Sequence, residues 1–219
     1  RSGRNIRLLR QSLQLNANSG ELWFHLGTEY FVLQQYEEAL SCYQRATKHL
    51  GPHSVFRPRM LRNSVECLRN MARYPEAYRM VQQAIQVYPD YPDLWFLRGL
   101  IEEVLGETDK ALQSFSKTIT TECPSSYETN ITATREKAYL NAASILLDKG
   151  LPNEALDYVM GCLALNRGIT MAYTLAAKAY LALGQLGAAQ EVLELAAQIN
   201  PVMKEPLERL AGRLHDLRS

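Results

Sequence analysis

Apolar residues in this chain recur with helical spacing, and the helical stripes themselves recur. Trp23-x-x-Leu26-Gly27-x-x-Tyr30 is followed by Ala39-x-x-x-Tyr43 and Ala46, an order of large, small and aromatic positions that predicts two helices in close approach. With Gly20 as position 1, positions 4, 7, 8, 11, 20, 24, 27 and 32 reappear down the chain. A second unit from Pro58 places Leu61, Val65, Leu68, Ala77, Val81, Ala84 and Pro89 in frame, and a third from Pro92 places Trp95, Gly99, Ala111, Phe115 and Thr118. The fourth, from Glu136, carries Tyr139, Ala142, Ala143, Leu146, Ala155, Val159 and Cys162. The fifth, from Thr170, carries Tyr173, Ala176, Ala177, Tyr180, Ala189, Leu193, Ala196 and Pro201, and a half unit from Lys204 adds Leu207, Leu210, Ala211 and Leu214. Starts at 20, 58, 92, 136, 170 and 204 are spaced by 38, 34, 44, 34 and 34 residues. One such hairpin cannot bury its own stripe, so its neighbour must cover it. The frame predicts an all-α solenoid of antiparallel helix hairpins over residues 20–203, with a polar capping helix at 204–219.

Local signals add detail. Asn18-x-x-Glu21 and Asp90-x-x-Asp93 are expected to cap first helices, and Pro75 and Pro152 to sit in the first turn of second helices. Gly51, Pro89, Pro92 and Pro201 are expected to punctuate turns between repeats. Ser64 and Arg98 stand at position 7, and Glu102 at position 11, where large apolar residues are the rule; packing there should be weaker. Four extra residues near His49-Leu50-Gly51-Pro52-His53-Ser54 are expected to lengthen a turn. Ten more lie around residues 122–135, where Ser125-x-x-Glu128 reads as the cap of a helix that starts early; a loop over the groove is the alternative. Residues 1–19 hold Arg1, Arg4, Arg7 and Arg10, no acid, and a stripe of Ile6, Leu9 and Leu13. They read as a basic helix, or a linker from an upstream region, packed on the first repeat.

The recurring positions resemble the tetratricopeptide repeat family over about residues 20–217, with the strongest matches in the first and fifth repeats. The resemblance implies a right-handed superhelix whose concave face holds a protein or peptide. In that family positions 2, 5, 9, 12 and 13 of the first helices line this face. Carried onto this sequence, they include Phe24, Thr28 and Phe31 in repeat one, and Arg59, Arg62, Glu66 and Arg69 in repeat two. Phe96 and Leu100 follow in repeat three, Lys137 and Leu140 in repeat four, and Lys178 in repeat five. Arg59, Arg62 and Arg69 share one helix face, and a guanidinium fork suits a carboxylate or phosphate. The expected ligand is a peptide, or a linker of the parent protein, with an acidic group near repeat two and apolar side chains on the three phenylalanines. Alternatively, the arginines are solvated and the rings pack on neighbouring helices. The family's chaperone-binding carboxylate clamp is not matched, because Phe24, Thr28, Asp93 and Leu97 stand where it needs basic or amide groups.

A narrower resemblance rests on Arg4-Asn5-Ile6-Arg7-Leu8-Leu9, on Tyr36-Glu37-Glu38-Ala39, and on the run from Tyr88 to Gly99. These strings look like the tetratricopeptide tail of bacterial family 2 glycosyltransferases. The resemblance implies a non-catalytic tail whose nucleotide-sugar-dependent domain is absent from these residues.

Chemistry in the sequence is sparse. His25, His49, His53 and His215 do not cluster with Cys42, Cys67, Cys123 and Cys162 at metal-ligand spacing, and Gly51-Pro52 breaks the helix that would align His49 with His53. No phosphate loop, serine elbow or paired general acid and base is present, so neither a cofactor nor catalysis is expected. The four cysteines read as packing thiols in a reducing, cytoplasmic setting. A formal net charge of +1 argues against specific nucleic-acid binding. There is no run of apolar residues long enough for a membrane span. Stacking of solenoid ends would permit a homo-oligomer.

Overall fold

The computed structural model describes residues 2–127 and 129–200. The half repeat at 204–219, Pro201 and Glu128 lie outside the described residues, and so does their part in capping or termination. The described chain is all-α. In order, its helices are α1 (Ser2–Leu15), α2 (Gly20–Val32), α3 (Tyr36–His49), α4 (Arg57–Asn70), α5 (Tyr74–Val87), α6 (Pro92–Val104), α7 (Thr108–Thr120), α8 (Ile131–Asp148), α9 (Pro152–Leu165), α10 (Thr170–Ala182) and α11 (Leu186–Ile199). Internal packing divides them into two compact units, Arg1–Thr129 and Asn130–Ser219, so the boundary falls inside the second insertion. Each unit is a stack of antiparallel helix hairpins: α2/α3, α4/α5 and α6/α7 in the first, α8/α9 and α10/α11 in the second. Helix α1 packs on α2 as α3 packs on α4.

The hairpins close on small residues. Position 20 is Ala39, Ala77, Ala111, Ala155 and Ala189 in turn, and each is wholly buried. Position 8 faces position 24, and their sizes trade off: Gly27 with Tyr43, Val65 with Val81, Gly99 with Phe115, Ala143 with Val159, Ala177 with Leu193. A Cβ built on Gly27 would stand 2.7 Å from the Tyr43 ring, and one on Gly99 would stand 2.6 Å from the Phe115 ring. The interior tolerates little change of volume at such contacts.

Each turn inside a hairpin places position 15 in the left-handed region: Gln34 at φ 60°, Ala72 at 57°, Gly106 at 77°, Gly150 at 71° and Gly184 at 72°. The next residue then donates its N–H five residues back, as Gln35 does to Tyr30 and Arg73 to Leu68, which satisfies the carbonyls at the helix end. Between hairpins a second device recurs. Trp23 Nε1 donates to the Ala17 carbonyl, Trp95 Nε1 to Pro89 and the Tyr173 hydroxyl to Arg167, at 2.8, 2.8 and 3.0 Å. In each case the aromatic side chain at position 4 ties down the carbonyl six residues earlier. Among the described residues, repeats two and four, which follow insertions, show no such bond.

Several local expectations are corrected. Helix α2 is capped by Ser19, whose Oγ accepts from Leu22 N–H, and Asn18 is not the cap. The cap position of α6 is Tyr91, with no side-chain bond, because Asp90 and Asp93 are engaged by the insertion instead. Helix α8 does start early, at Ile131, but its cap is Asn130, which accepts from Ala133 N–H; Ser125 lies in a turn. The first insertion does more than lengthen a turn: it delivers Phe56 onto Phe24 with ring centroids 5.0 Å apart.

Arg98 and Glu102 prove to compensate each other. Glu102 is fully buried and accepts from Arg98 Nε at 2.8 Å, Tyr78 hydroxyl at 3.3 Å and Ser114 hydroxyl at 2.6 Å. Helices α5, α6 and α7 thus meet at one satisfied carboxylate. Removal of a single partner of a buried pair costs about 3–5 kcal/mol, whereas an apolar pair of similar volume is often neutral.

Two stability outcomes follow. Glu102→Ala should lower stability by about 3–5 kcal/mol, and Arg98→Leu with Glu102→Leu should recover most of it, measured by urea unfolding. Ala72→Gly should add about 1 kcal/mol by relieving the left-handed strain, while Gly99→Ala should cost about 1–3 kcal/mol; a Tm that moves in the opposite direction in either case contradicts this packing.

Candidate functional site

In unit 1 the first helices α2, α4 and α6 lie side by side, with α4 in the middle. Arg59, Arg62, Glu66 and Arg69 are half-buried along its exposed edge. Each arginine already has company. The Arg59 guanidinium lies 6.0 Å from the centre of the Phe24 ring. Arg62 donates through Nε and Nη2 to Asn63 Oδ1, and its Nη1 stands 3.6 Å from Asp93 of α6. Arg69 pairs with Glu66 one turn away at 3.9 Å. Asp93 is itself buried, so its ion pair with Arg62 is the better shielded of the two. The expected open fork of three arginines is therefore a row of partly neutralised guanidinium groups, flanked by carboxylates that a ligand would have to replace.

The aromatic part of the expected groove is corrected more strongly. Phe24 is only 2% exposed. It packs between Tyr43 and the inserted Phe56, so it offers no ring face to a ligand. Phe31 is half-buried against Tyr36, and Phe96 against Phe115; both rings lean on second helices. Thr28 turns its hydroxyl back to the Phe24 carbonyl at 3.0 Å, and Leu100 packs on the core. In unit 2, α8 and α10 pack together, with Lys137 and Lys178 exposed and Leu140 half-buried.

The sequence missed the role of the second insertion. Tyr127 donates its hydroxyl to Asp90 at 2.6 Å and stacks on Tyr91 with centroids 4.8 Å apart. Thr129 donates to Asp93 at 2.8 Å. The segment is strapped across the start of α6, beside Arg62. A spacing of 44 residues signalled an excursion here, but nothing in the sequence gave its direction.

Among the described residues, no group of three or more His, Cys, Asp or Glu side chains is placed to hold a metal ion. No helix there is long and apolar enough to cross a membrane. Cys42, Cys67 and Cys162 are buried free thiols, and burial pushes their pKa up to about 11, about 12 and about 11. The thiolate, which is the nucleophile, is suppressed in each.

Comparison with known proteins follows the same frame. Family profiles described as "Tetratricopeptide repeat" match residues 20–49, 68–127, 136–168 and 172–202. A curated relative, tetratricopeptide repeat-containing protein trd-1 of Caenorhabditis elegans, is 25% identical over 109 residues, 50% of this chain and 14% of that protein. Yeast Tom70 superimposes with a TM-score of 0.71 at 17% identity, over 97% of this chain and 43% of its own. YrrB, described as a TPR protein with an unusual peptide-binding site, gives 0.67 at 18% identity, over 94% of this chain and 97% of its own. This chain therefore spans a small part of the worm protein and less than half of Tom70. At these identities the structural likeness establishes the fold.

Thiol chemistry provides a check on burial. Under Ellman's reagent at pH 8, the half-buried Cys123 should react first, while Cys42, Cys67 and Cys162 should wait for unfolding. Four equal fast rates in the native protein would mean that the hairpin interiors are not packed as described.

Proposed function

The chain belongs to the tetratricopeptide repeat family, and on that premise we propose that it is a non-catalytic scaffold that holds a protein or peptide segment. The carrying observation is the edge of α4, where Arg59, Arg62, Glu66 and Arg69 form one charged strip between α2 and α6. A bound segment gains by offering a carboxylate to Arg59 and Arg69, the latter in long contacts with Glu66 and Asn70 at 3.9 and 3.5 Å. The apolar contribution comes from the outer edges of Phe31, Phe96 and Leu100, not from Phe24. YrrB, of the same fold, is described as having a peptide-binding site, which supports the class of ligand.

A finer reading attaches this scaffold to a bacterial family 2 glycosyltransferase, as a tail that docks on its catalytic domain or on an acceptor. The strings from Arg4 to Leu9 and from Tyr88 to Gly99 support it. A full reading frame with no upstream nucleotide-sugar domain rejects it. We also propose a cytoplasmic setting, which the free thiols of Cys42, Cys67, Cys123 and Cys162 support, and self-association through solenoid ends would be read by sedimentation.

The scaffold reading is tested with a random peptide display library panned on the full chain. Selected peptides should be enriched in Asp and Glu. Arg59→Ala with Arg69→Ala should weaken them at least tenfold in isothermal titration. Selection of peptides without acidic residues, or affinity indifferent to the double substitution, would remove α4 as the site.

A further inference from the structure

The opposite side of unit 1 has its own architecture. Whereas α2, α4 and α6 pack side by side, the second helices are separated by furrows. The furrow between α1 and α3 is about 680 Å³ and is floored by Trp23, Leu26 and Tyr30, which are positions 4, 7 and 11 of repeat one. Its rim is balanced, with Arg10 and Arg45 against Glu37 and Glu38. The counterpart between α3 and α5 is about 730 Å³, within the range of ligand sites. It is floored by Leu61 and Ser64, positions 4 and 7 of repeat two, and runs on over Leu68.

Two features set this second furrow apart. First, Ser64 stands where repeat one has Leu26. Ser64 is buried and its hydroxyl donates to the Met60 carbonyl at 2.8 Å, so the floor carries a smaller side chain here than the leucine of repeat one. Second, Lys48 and Arg57 line the furrow with no carboxylate among its lining residues, while Arg45 borders it with its guanidinium 4.6 Å from the centre of the Trp23 ring in the neighbouring furrow. In the adjoining stretch Arg73 is already paired with Glu76 and Glu37. Gln44 and Gln83 stand on opposite walls and can serve a peptide backbone with donors and acceptors, and Met80 is an adaptable apolar surface beside them. The arginines of α4 are thereby shared between two faces: Arg59, Arg62 and Arg69 lie along one, and Arg57 lines the other.

We propose that the furrow between α3 and α5 is a docking site for an acidic amphipathic peptide segment. An aliphatic side chain of the segment lies over the furrow floor at Ser64, and its carboxylates face Lys48 and Arg57. Charge complementarity excludes a basic segment, and the balanced rim of the neighbouring furrow does not offer the same selection. This site is independent of the α4 edge.

The experiment uses the full chain and a fluorescein-labelled synthetic peptide of leucine and glutamate in amphipathic helical spacing, read by anisotropy at low salt. Saturable binding is expected, and none for the same peptide with lysine in place of glutamate. Lys48→Glu with Arg57→Glu should weaken binding at least tenfold. Ser64→Leu, which restores the large residue at position 7, should weaken it at least fivefold without lowering Tm, so loss of fold cannot explain the effect. Because the α4 edge is also expected to take acidic segments, the Arg59→Glu with Arg69→Glu chain, in which that edge is closed, should still bind the peptide saturably and remain sensitive to Lys48→Glu with Arg57→Glu. Absence of saturable binding overturns the proposal, as does indifference to Lys48→Glu with Arg57→Glu. A loss caused by the α4 substitutions instead also overturns it and returns the peptide to the other face. If Ser64→Leu does not fold, the charge-reversed pair on the surface decides alone.

Discussion

The close approach of position 8 to position 24 is the contact on which the rest of this structure depends. Where a tyrosine or phenylalanine occupies position 24, only glycine at position 8 leaves room for the ring, as Gly27 and Gly99 do. Where position 24 is aliphatic, valine or alanine suffices. Glycine accompanies the two aromatic rings because a buried contact is penalised for both excess and missing volume. With the fully buried alanines at position 20, this contact draws two helices together and sends their remaining apolar groups toward the next hairpin. Stacking is the consequence, in both units.

Departures from that rule mark the places where this chain differs from a plain repeat. Arg98 and Glu102 would be costly alone; together with Tyr78 and Ser114 they form a satisfied polar junction among three helices. Ser64 is different, since its hydroxyl is satisfied within its own helix and it leaves a small side chain in the floor of the α3–α5 furrow. One kind of departure is absorbed by a polar junction among helices, and the other lies beneath a furrow. The insertions act in the same double way: Phe56 closes over Phe24, whereas Tyr127 and Thr129 take up two aspartates at the start of α6.

Binding capacity in such a stack arises from what the core contact leaves unused. First-helix side chains that do not face a partner helix line one face, and the gaps between second helices line the other. In unit 1 both carry cations from α4, but their settings differ. On the α4 edge Arg62 and Arg69 sit with Asp93 and Glu66, so a ligand competes with internal carboxylates. In the α3–α5 furrow the cations meet no lining carboxylate.

Much of the fold was legible because a repeat states its packing rule several times. The period announced stacked helix hairpins, the wholly buried alanines at position 20, and Gly27 and Gly99 against aromatic rings, but not Gly161, which meets Tyr139. The left-handed turns were only partly legible: Gly106, Gly150 and Gly184 announce such a turn, but Gln34 and Ala72 hold it against their own preference because the flanking hairpin forces it. The candidate site was less legible, because whether Phe24 is a wall or a core residue depends on where an insertion sends Phe56, and whether Arg62 is free depends on Asp93, 31 positions later. Sequence by itself determined the periodic, short-range part: which residues are helical, which are small, and which must be covered. Tertiary structure alone decided the pairing of side chains on neighbouring repeats, since those contacts are fixed by distances between helices and not by spacing along any one of them.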